Sequence, residues 1–385
     1  MIVNTPLPNT RLTDLLYGKA SLQKIPLGGT FELSPVCNFQ CRMCYVRKTT
    51  KEVEESLRPI MTLEDWRRIA AQAREAGMLY LLLTGGEPLL WPDFWTLYEE
   101  LISMGFVISI NTNGSMIDDE AIERFRKLPP RMIHITLYGA GDETYERLCG
   151  AKHVFDRVIH AVDGLQKAGV PVGLNCSLTP YNVKDLPAIQ AFAEERNLVL
   201  NATSYMFPPI RRDETRTGEN EARFTPEEAA FYRLKVYELQ NSRQDYEKLL
   251  QNILKGSIDP PGLDAGCTDP VDGKIRCRAG TASFWITWDG WLTPCGLMTE
   301  PRVDLKQKEF PAAWKELTEL TEKVRLSGTC DKCPNLNICH PCAAMALAET
   351  GSFSGIPVYL CRMVLHMRKI AEETLQTNGH ETEEV

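Results

Sequence analysis

No stretch of this 385-residue chain stays apolar for the roughly 20 residues that a membrane span requires. Its opening, MIVNTPLPNTRLTDLLYGK, lacks the basic segment and long apolar run of a secretory signal. These absences predict a soluble, cytoplasmic protein with no membrane partner. Positive charge is also in deficit, 43 Lys and Arg against 51 Asp and Glu, for a formal net charge of −8. A general nucleic-acid binder needs clustered Lys and Arg to neutralise phosphate, so nucleic acid is not an expected partner. Cysteine, by contrast, is plentiful at 13 residues. A reducing compartment makes a disulfide framework the wrong reading of that number, and metal ligation or catalysis becomes the expected use.

Short β-rich runs alternate with amphipathic helical runs through the first half. The strand candidates are TFELSPV (30–36), MLYLLLT (78–84), FVISINT (106–112), MIHITLY (132–138), VPVGLNCSL (170–178) and LVLNATSY (198–205). TLEDWRRIAAQAREAG reads as a helix with Thr62 as N-cap and Gly77 as stop, and FDRVIHAVDGLQKAG as another. Six β/α units predict an α/β fold with a parallel sheet and ligands at the strands' carboxyl ends; periodicity alone does not choose between an open sheet and a barrel. Residues 1–29 read as an N-terminal extension and 30–205 as the β/α domain. A bridging segment with a helix over about 225–254 spans 206–265, a loop-rich domain organised by metal spans 266–365, and an acidic, solvated tail spans 366–385.

The segment SPVCNFQCRMCYVRK places Cys37, Cys41 and Cys44 directly after the first strand. Three thiolates on a 4Fe-4S cube leave one iron open to bind something else. After the second strand, TGGEPLLWPDF carries Gly85, Gly86, Glu87 and Pro88. CxxxCxxC followed by Tyr45, with this GGEP element in the right order, resembles the radical S-adenosylmethionine (AdoMet) superfamily. The resemblance implies a partial (β/α)6 TIM-like barrel, and reductive cleavage of AdoMet to a 5'-deoxyadenosyl radical that abstracts hydrogen from substrate. It further implies a flavodoxin- or ferredoxin-type electron donor. GGEP would bond the AdoMet amino group, and Thr136 stands where relatives often carry a Ser contacting the cofactor. Asn113 and Asn175, at the ends of the third and fifth strands, are pocket candidates, each equally readable as a strand-end polar group. Where many relatives place an Arg before a Gly, YERLCG has Cys149, with Arg147 two residues earlier, so the partner of the AdoMet carboxylate stays unassigned.

Eight further cysteines follow: Cys267, Cys277, Cys295, Cys330, Cys333, Cys339, Cys342 and Cys361. Their order, with Gly290 before Cys295, resembles the SPASM extension, which holds two auxiliary 4Fe-4S clusters. The gap before Cys342 is two residues where three are usual. By the family's interleaving, Cys267, Cys277, Cys295 and Cys342 would hold the first cluster and Cys330, Cys333, Cys339 and Cys361 the second, for three clusters in all. CxxC pairs also suit a zinc ribbon. Cys149 and Cys176 read as small buried hydrophobes.

SPASM proteins act mainly on peptides and proteins, which makes a short ribosomal precursor peptide the expected substrate and crosslinking or epimerisation the expected outcome. Sulfatase maturation is disfavoured, because Gly296 follows Cys295 where sulfatase maturases typically place an Asp base. No replacement base is evident: Asp289 reads as a hairpin turn residue, and Asp213 and Glu214 as solvated. With 36 residues before Cys37, leader recognition is expected to use a separate small leader-binding protein, the barrel's own edge, or the segment from Phe207 to Arg216. In that segment Arg211, Arg212 and Arg216 read first as a solvated loop and second as partners of an acidic peptide. A small-molecule radical enzyme and a non-catalytic iron-sulfur or zinc protein remain the alternatives.

Overall fold

The computed structural model describes residues 7–256 and 273–381, with backbone alone at 7–11 and 378–381. Six parallel strands form as the alternation predicts: β1 (Gly28–Glu32), β2 (Tyr80–Thr84), β3 (Val107–Thr112), β4 (Met132–Thr136), β5 (Val172–Ser177) and β6 (Leu200–Thr203). Most are shorter than their apolar runs: β2 and β3 begin later, β4 ends earlier, and β5 and β6 are trimmed at both ends. β1 instead starts two residues early, at Gly28 and Gly29.

One face of the sheet packs on helices and the other is concave. Phe31 stacks on Trp66 of helix Leu63–Glu75 at 4.7 Å between ring centroids. Level with it across the strands run Leu83, Ile110, Ile133 and Val172, all buried. Successive strand residues point to opposite faces, so Thr30, Leu82, Ser109, His134, Thr136 and Asn175 line the concave side. Helix Leu63–Glu75 begins as read: Thr62 caps it in a reciprocal capping box with Asp65, and Gly77 follows its end at φ +105°.

The C-terminal half continues the same sheet. β7 (Ser283–Ile286) lies parallel beside β1, with Trp285 level with Thr30, and β8 (Trp291–Thr293) and β9 (Val303–Asp304) follow antiparallel. The strand order β6-β5-β4-β3-β2-β1-β7-β8-β9 is open at both ends, an incomplete barrel. Asp289 sits in the turn between β7 and β8, where its carboxylate accepts the Thr287 hydroxyl at 2.6 Å.

Two sequence expectations change. The long helix after residue 225 is two, Pro226–Gln240 and Arg243–Lys255, because Ser242 leaves the helical conformation to cap the second through Asp245. Residues 366–385, read as a solvated acidic tail, instead continue helix Val358–Glu381 as far as it is described. There Met363, Met367 and Ala371 are buried against the Pro226–Gln240 helix, so an apolar stripe outweighs the acidic composition. The N-terminal extension contains helix Leu7–Gln23, whose Tyr17 stacks on Tyr80 at 5.7 Å.

Candidate active site at the carboxyl edge of the sheet

The loop after β1 is laced to the turn after β2. Leu33 N donates to Thr84 O (2.9 Å), Gly86 N to Ser34 O (2.7 Å) and Glu87 N to Val36 O (3.0 Å). A Cβ on Gly85 would lie 2.4 Å from Ser34 O, and one on Gly86 2.4 Å from Val36 O. The close approach for which these glycines are needed is therefore to the backbone leading into Cys37. From the other side, Gln40 N donates to Cys149 O (2.6 Å) and Arg42 N to Leu148 O (3.1 Å), so the end of helix Asp142–Cys149 clamps the middle of the cysteine loop.

Cys37, Cys41 and Cys44 face one another closely enough to act on each other's ionisation. Burial pushes the Cys37 thiol up to about 12 and raises Cys44, and neighbouring thiols add to both. Phe39 N and Arg47 N each lie 3.3 Å from a sulfur, Cys37 and Cys44 respectively. Cys41 differs: hydrogen bonds from Cys149 and Tyr138 hold it below its ordinary value against burial. Cys149 is indeed fully buried, as is Cys176, but its thiol has a partner that hydrophobic burial alone does not supply. The missing Arg of YERLCG was the only sequence signal for that contact.

Glu87 is fully buried. It accepts Thr112 Oγ1 at 2.8 Å, Asn113 N at 2.8 Å and Leu89 N at 3.2 Å, while burial pushes its pKa up to about 7. Pro88 opens the buried turn that follows. Asn113 Nδ2 bonds Asn38 Oδ1 at 2.9 Å and lies 3.7 Å from Cys37 Sγ. Thr136 and Asn175 stand level with each other on the concave face. Arg147 is engaged elsewhere, donating twice to Tyr181 O.

The C-terminal thiols fall into two sets by mutual influence. Cys342, pushed up to about 12 by burial, is raised further by Cys295 and Cys277. Its sulfur also accepts Met345 N at 3.4 Å, at the start of helix Ala343–Thr350. Cys330, Cys333, Cys339 and Cys361 form the other set, with burial raising Cys339 to about 12 and its three companions adding to it. Cys267 lies outside the described residues.

Arg211 departs from the solvated-loop reading. Its guanidinium meets Glu32 of β1 at 2.8 and 2.9 Å, donates to Gly296 O at 2.7 Å, and is nearly buried. Arg216 reaches Glu221 at 3.7 Å, while Arg212 is exposed near Cys44. Beside this junction, a cavity of about 420 Å³ runs from the concave face to the C-terminal half, lined among others by Thr30, Tyr45, Ser109, Trp285 and Cys295.

Among the described residues no three His, Cys, Asp or Glu side chains converge as a single-ion shell. The fit to iron-sulfur clusters rests instead on which thiols neighbour one another. Buried thiols that raise one another stay protonated unless cations replace the protons, the condition that iron meets. Backbone N–H groups aimed at Cys37, Cys44 and Cys342 suit sulfurs carrying negative charge.

Residues 31–193 match the family model described as the Radical SAM superfamily. The AdoMet-dependent heme synthase of Methanosarcina barkeri (strain Fusaro / DSM 804) is 24% identical over 334 residues, 84% of this chain and 93% of that protein. The sporulation killing factor maturation protein SkfB of Bacillus subtilis (strain 168) is 24% identical over 278 residues, 72% and 62% of the two chains. Streptococcus suis SuiB bound to precursor peptide SuiA shares the fold with a TM-score of 0.65 at 19% identity, over 94% of this chain and 82% of SuiB. Family model and fold fall on the strands that carry the cysteine loop and the Gly85-Gly86 turn: over residues 31–193 the chain is similar to the radical SAM superfamily.

Proposed function

We propose that this chain is a radical SAM enzyme that abstracts hydrogen from a short ribosomal precursor peptide and so crosslinks or epimerises it. The observation that carries the reading is the open side of the sheet. At β6, Asn201 and Thr203 are exposed beside the concave face, and from there an extended chain can enter past the cysteine loop. The likeness to SuiB, described with its precursor peptide, and to SkfB, a maturation protein, supports a peptide substrate.

Cys37, Cys41 and Cys44 would hold a 4Fe-4S cluster whose open iron binds AdoMet, and the bound pair supplies the radical. The protein's part is to place the target and keep water away. Gly85 and Gly86 fix the turn beside the cluster loop, Glu87 fixes Asn113, and Asn113 steadies Asn38 and Cys37. Thr136 and Asn175 would offer polar contacts at the mouth. Cys277, Cys295 and Cys342, with Cys267, would hold one auxiliary cluster, and Cys330, Cys333, Cys339 and Cys361 another, giving about 12 irons per chain. The electron would come from a flavodoxin or ferredoxin, and a separate leader-binding protein would present the peptide.

Sulfatase maturation fits less well. A Cβ at Gly296 would lie 2.5 Å from the Trp285 ring, so an Asp there has no room. A second reading, an iron tetrapyrrole substrate, is favoured by the nearly full-length similarity to the heme synthase.

Anaerobic incubation with AdoMet, reductant and the peptide encoded beside the gene, against a parallel iron tetrapyrrole, tests the assignment. The peptide should lose about 2 Da for a crosslink, or take up deuterium from D2O on epimerisation. An unchanged peptide beside a converted tetrapyrrole would select the second reading.

A further inference from the structure

Arg211 is a cation buried against acceptors from two separate parts of the chain. Glu32, wholly buried on β1, accepts both its terminal nitrogens, and Glu32 also accepts Trp285 Nε1 of β7 at 2.8 Å. The other acceptor is the carbonyl of Gly296, the residue after Cys295. Gly296 is in turn packed face-on against Trp285. The guanidinium also lies 5.8 Å from the ring of Tyr45, the residue after Cys44. Burial alone would lower the Arg211 pKa, yet Glu32 holds it above its ordinary value, so the group stays charged.

A planar guanidinium can grip a carboxylate with two nitrogens and still reach a carbonyl; a lysine cannot make all three contacts with that geometry. The loop that presents Cys295 is therefore tied to β1 and β7 through one side chain. A fixed charge in a buried place is poorly screened. The guanidinium reaches the main chain one residue beyond Cys295, at 2.7 Å from Gly296 O.

We propose that Arg211, clamped by Glu32, is a positioning residue that sets the reduction potential of the iron-sulfur cluster held by Cys277, Cys295 and Cys342. The inference rests on reading those thiols as cluster ligands. A nearby cation stabilises the more negative, reduced cluster, so Arg211 raises that potential. The cluster on Cys330, Cys333, Cys339 and Cys361 serves as an internal control.

The test uses full-length chain with Cys37, Cys41 and Cys44 all changed to Ala, reconstituted anaerobically, so that only auxiliary clusters contribute. Iron is counted, and redox titrations are followed by electron paramagnetic resonance. Arg211→Met should shift one of the two potentials negative and leave the other unchanged, and Arg211→Lys should shift the same one by less. Because Arg211→Met strands a buried carboxylate, the Glu32→Gln/Arg211→Met double variant is measured too, and it should keep the negative shift. Full iron with both potentials unchanged in the double variant, or both moved equally, overturns the proposal. If the parent carries zinc, or no more than about four irons, the ligand assignment fails before any Arg211 comparison is made.

Discussion

Glu87 accepts the backbone amide of Asn113 at 2.8 Å, and Asn113 passes the constraint on to Asn38, next to Cys37. A carboxyl that pairs with no cation among the described residues thus braces the cysteine loop from beneath. With its pKa near 7 rather than 4.5, chiefly because it is buried, the folded protein keeps a proton that the unfolded chain has released. The contribution of Glu87 therefore falls as pH rises from about 4.5 to about 7, by at most about 3 kcal/mol. Glu87→Gln should flatten the pH dependence of the urea midpoint over that window. An unchanged slope in the variant would refute the assignment.

Gly86→Ala tests the lacing of the two loops. The added carbon meets two backbone carbonyls, Val36 O at 2.4 Å and Pro35 O at 2.7 Å, neither of which can swing aside. Overpacking of this kind costs about 1–3 kcal/mol and should be relieved by displacing the Cys37 loop. Calorimetry should show weakened AdoMet binding, while the irons held by the C-terminal cysteines remain.

Cys149→Ala removes a hydrogen bond from the Cys41 sulfur while leaving the carbonyl clamp on Gln40 intact. Hydrogen bonds to cluster sulfurs raise reduction potentials, so a cluster held, as proposed, by Cys37, Cys41 and Cys44 should become harder to reduce at unchanged iron content. A redox titration giving the parent potential would show that the contact does not matter.

Changing Cys37, Cys41 and Cys44 together to Ala should abolish 5'-deoxyadenosine formation and leave about eight irons per chain. Chromatography of the reductive cleavage reaction, with an iron assay of the same preparation, reads both. Continued cleavage by the variant would remove these thiols from the mechanism.

Met367→Ala should destabilise the fold by about 2–5 kcal/mol, because the side chain is 1% exposed and packs in the main core. Thermal unfolding against the parent measures it. A solvated position would give almost no change.

The sheet was legible because each strand announces itself: YLLLT and VISINT are bounded by glycine and turn residues, and their period fits one helix-backed face. The cysteine loop and GGEP turn were legible because their chemistry is local in sequence. Arg211 was not, since RRDETR reads as surface until Glu32, 179 positions away, comes beside it. The same limit hid the Cys149–Cys41 contact, which depends on where a helix ends. The helix beyond residue 365 was obscured for a different reason: its buried Met367 and Ala371 are few and are followed by an acidic sequence.

Main-chain hydrogen bonds between β1 and β7 make the sheet a ruler shared by both halves of the chain. Thr30 stands level with Trp285, β1 leads into Cys37, and the β7–β8 hairpin leads into Cys295. The gap between those cysteines is therefore measured in strand register and does not depend on a hinge. A substrate spanning it meets a fixed span, and a change in the size it accepts has to come from side chains on the concave face, not from one half swinging away from the other.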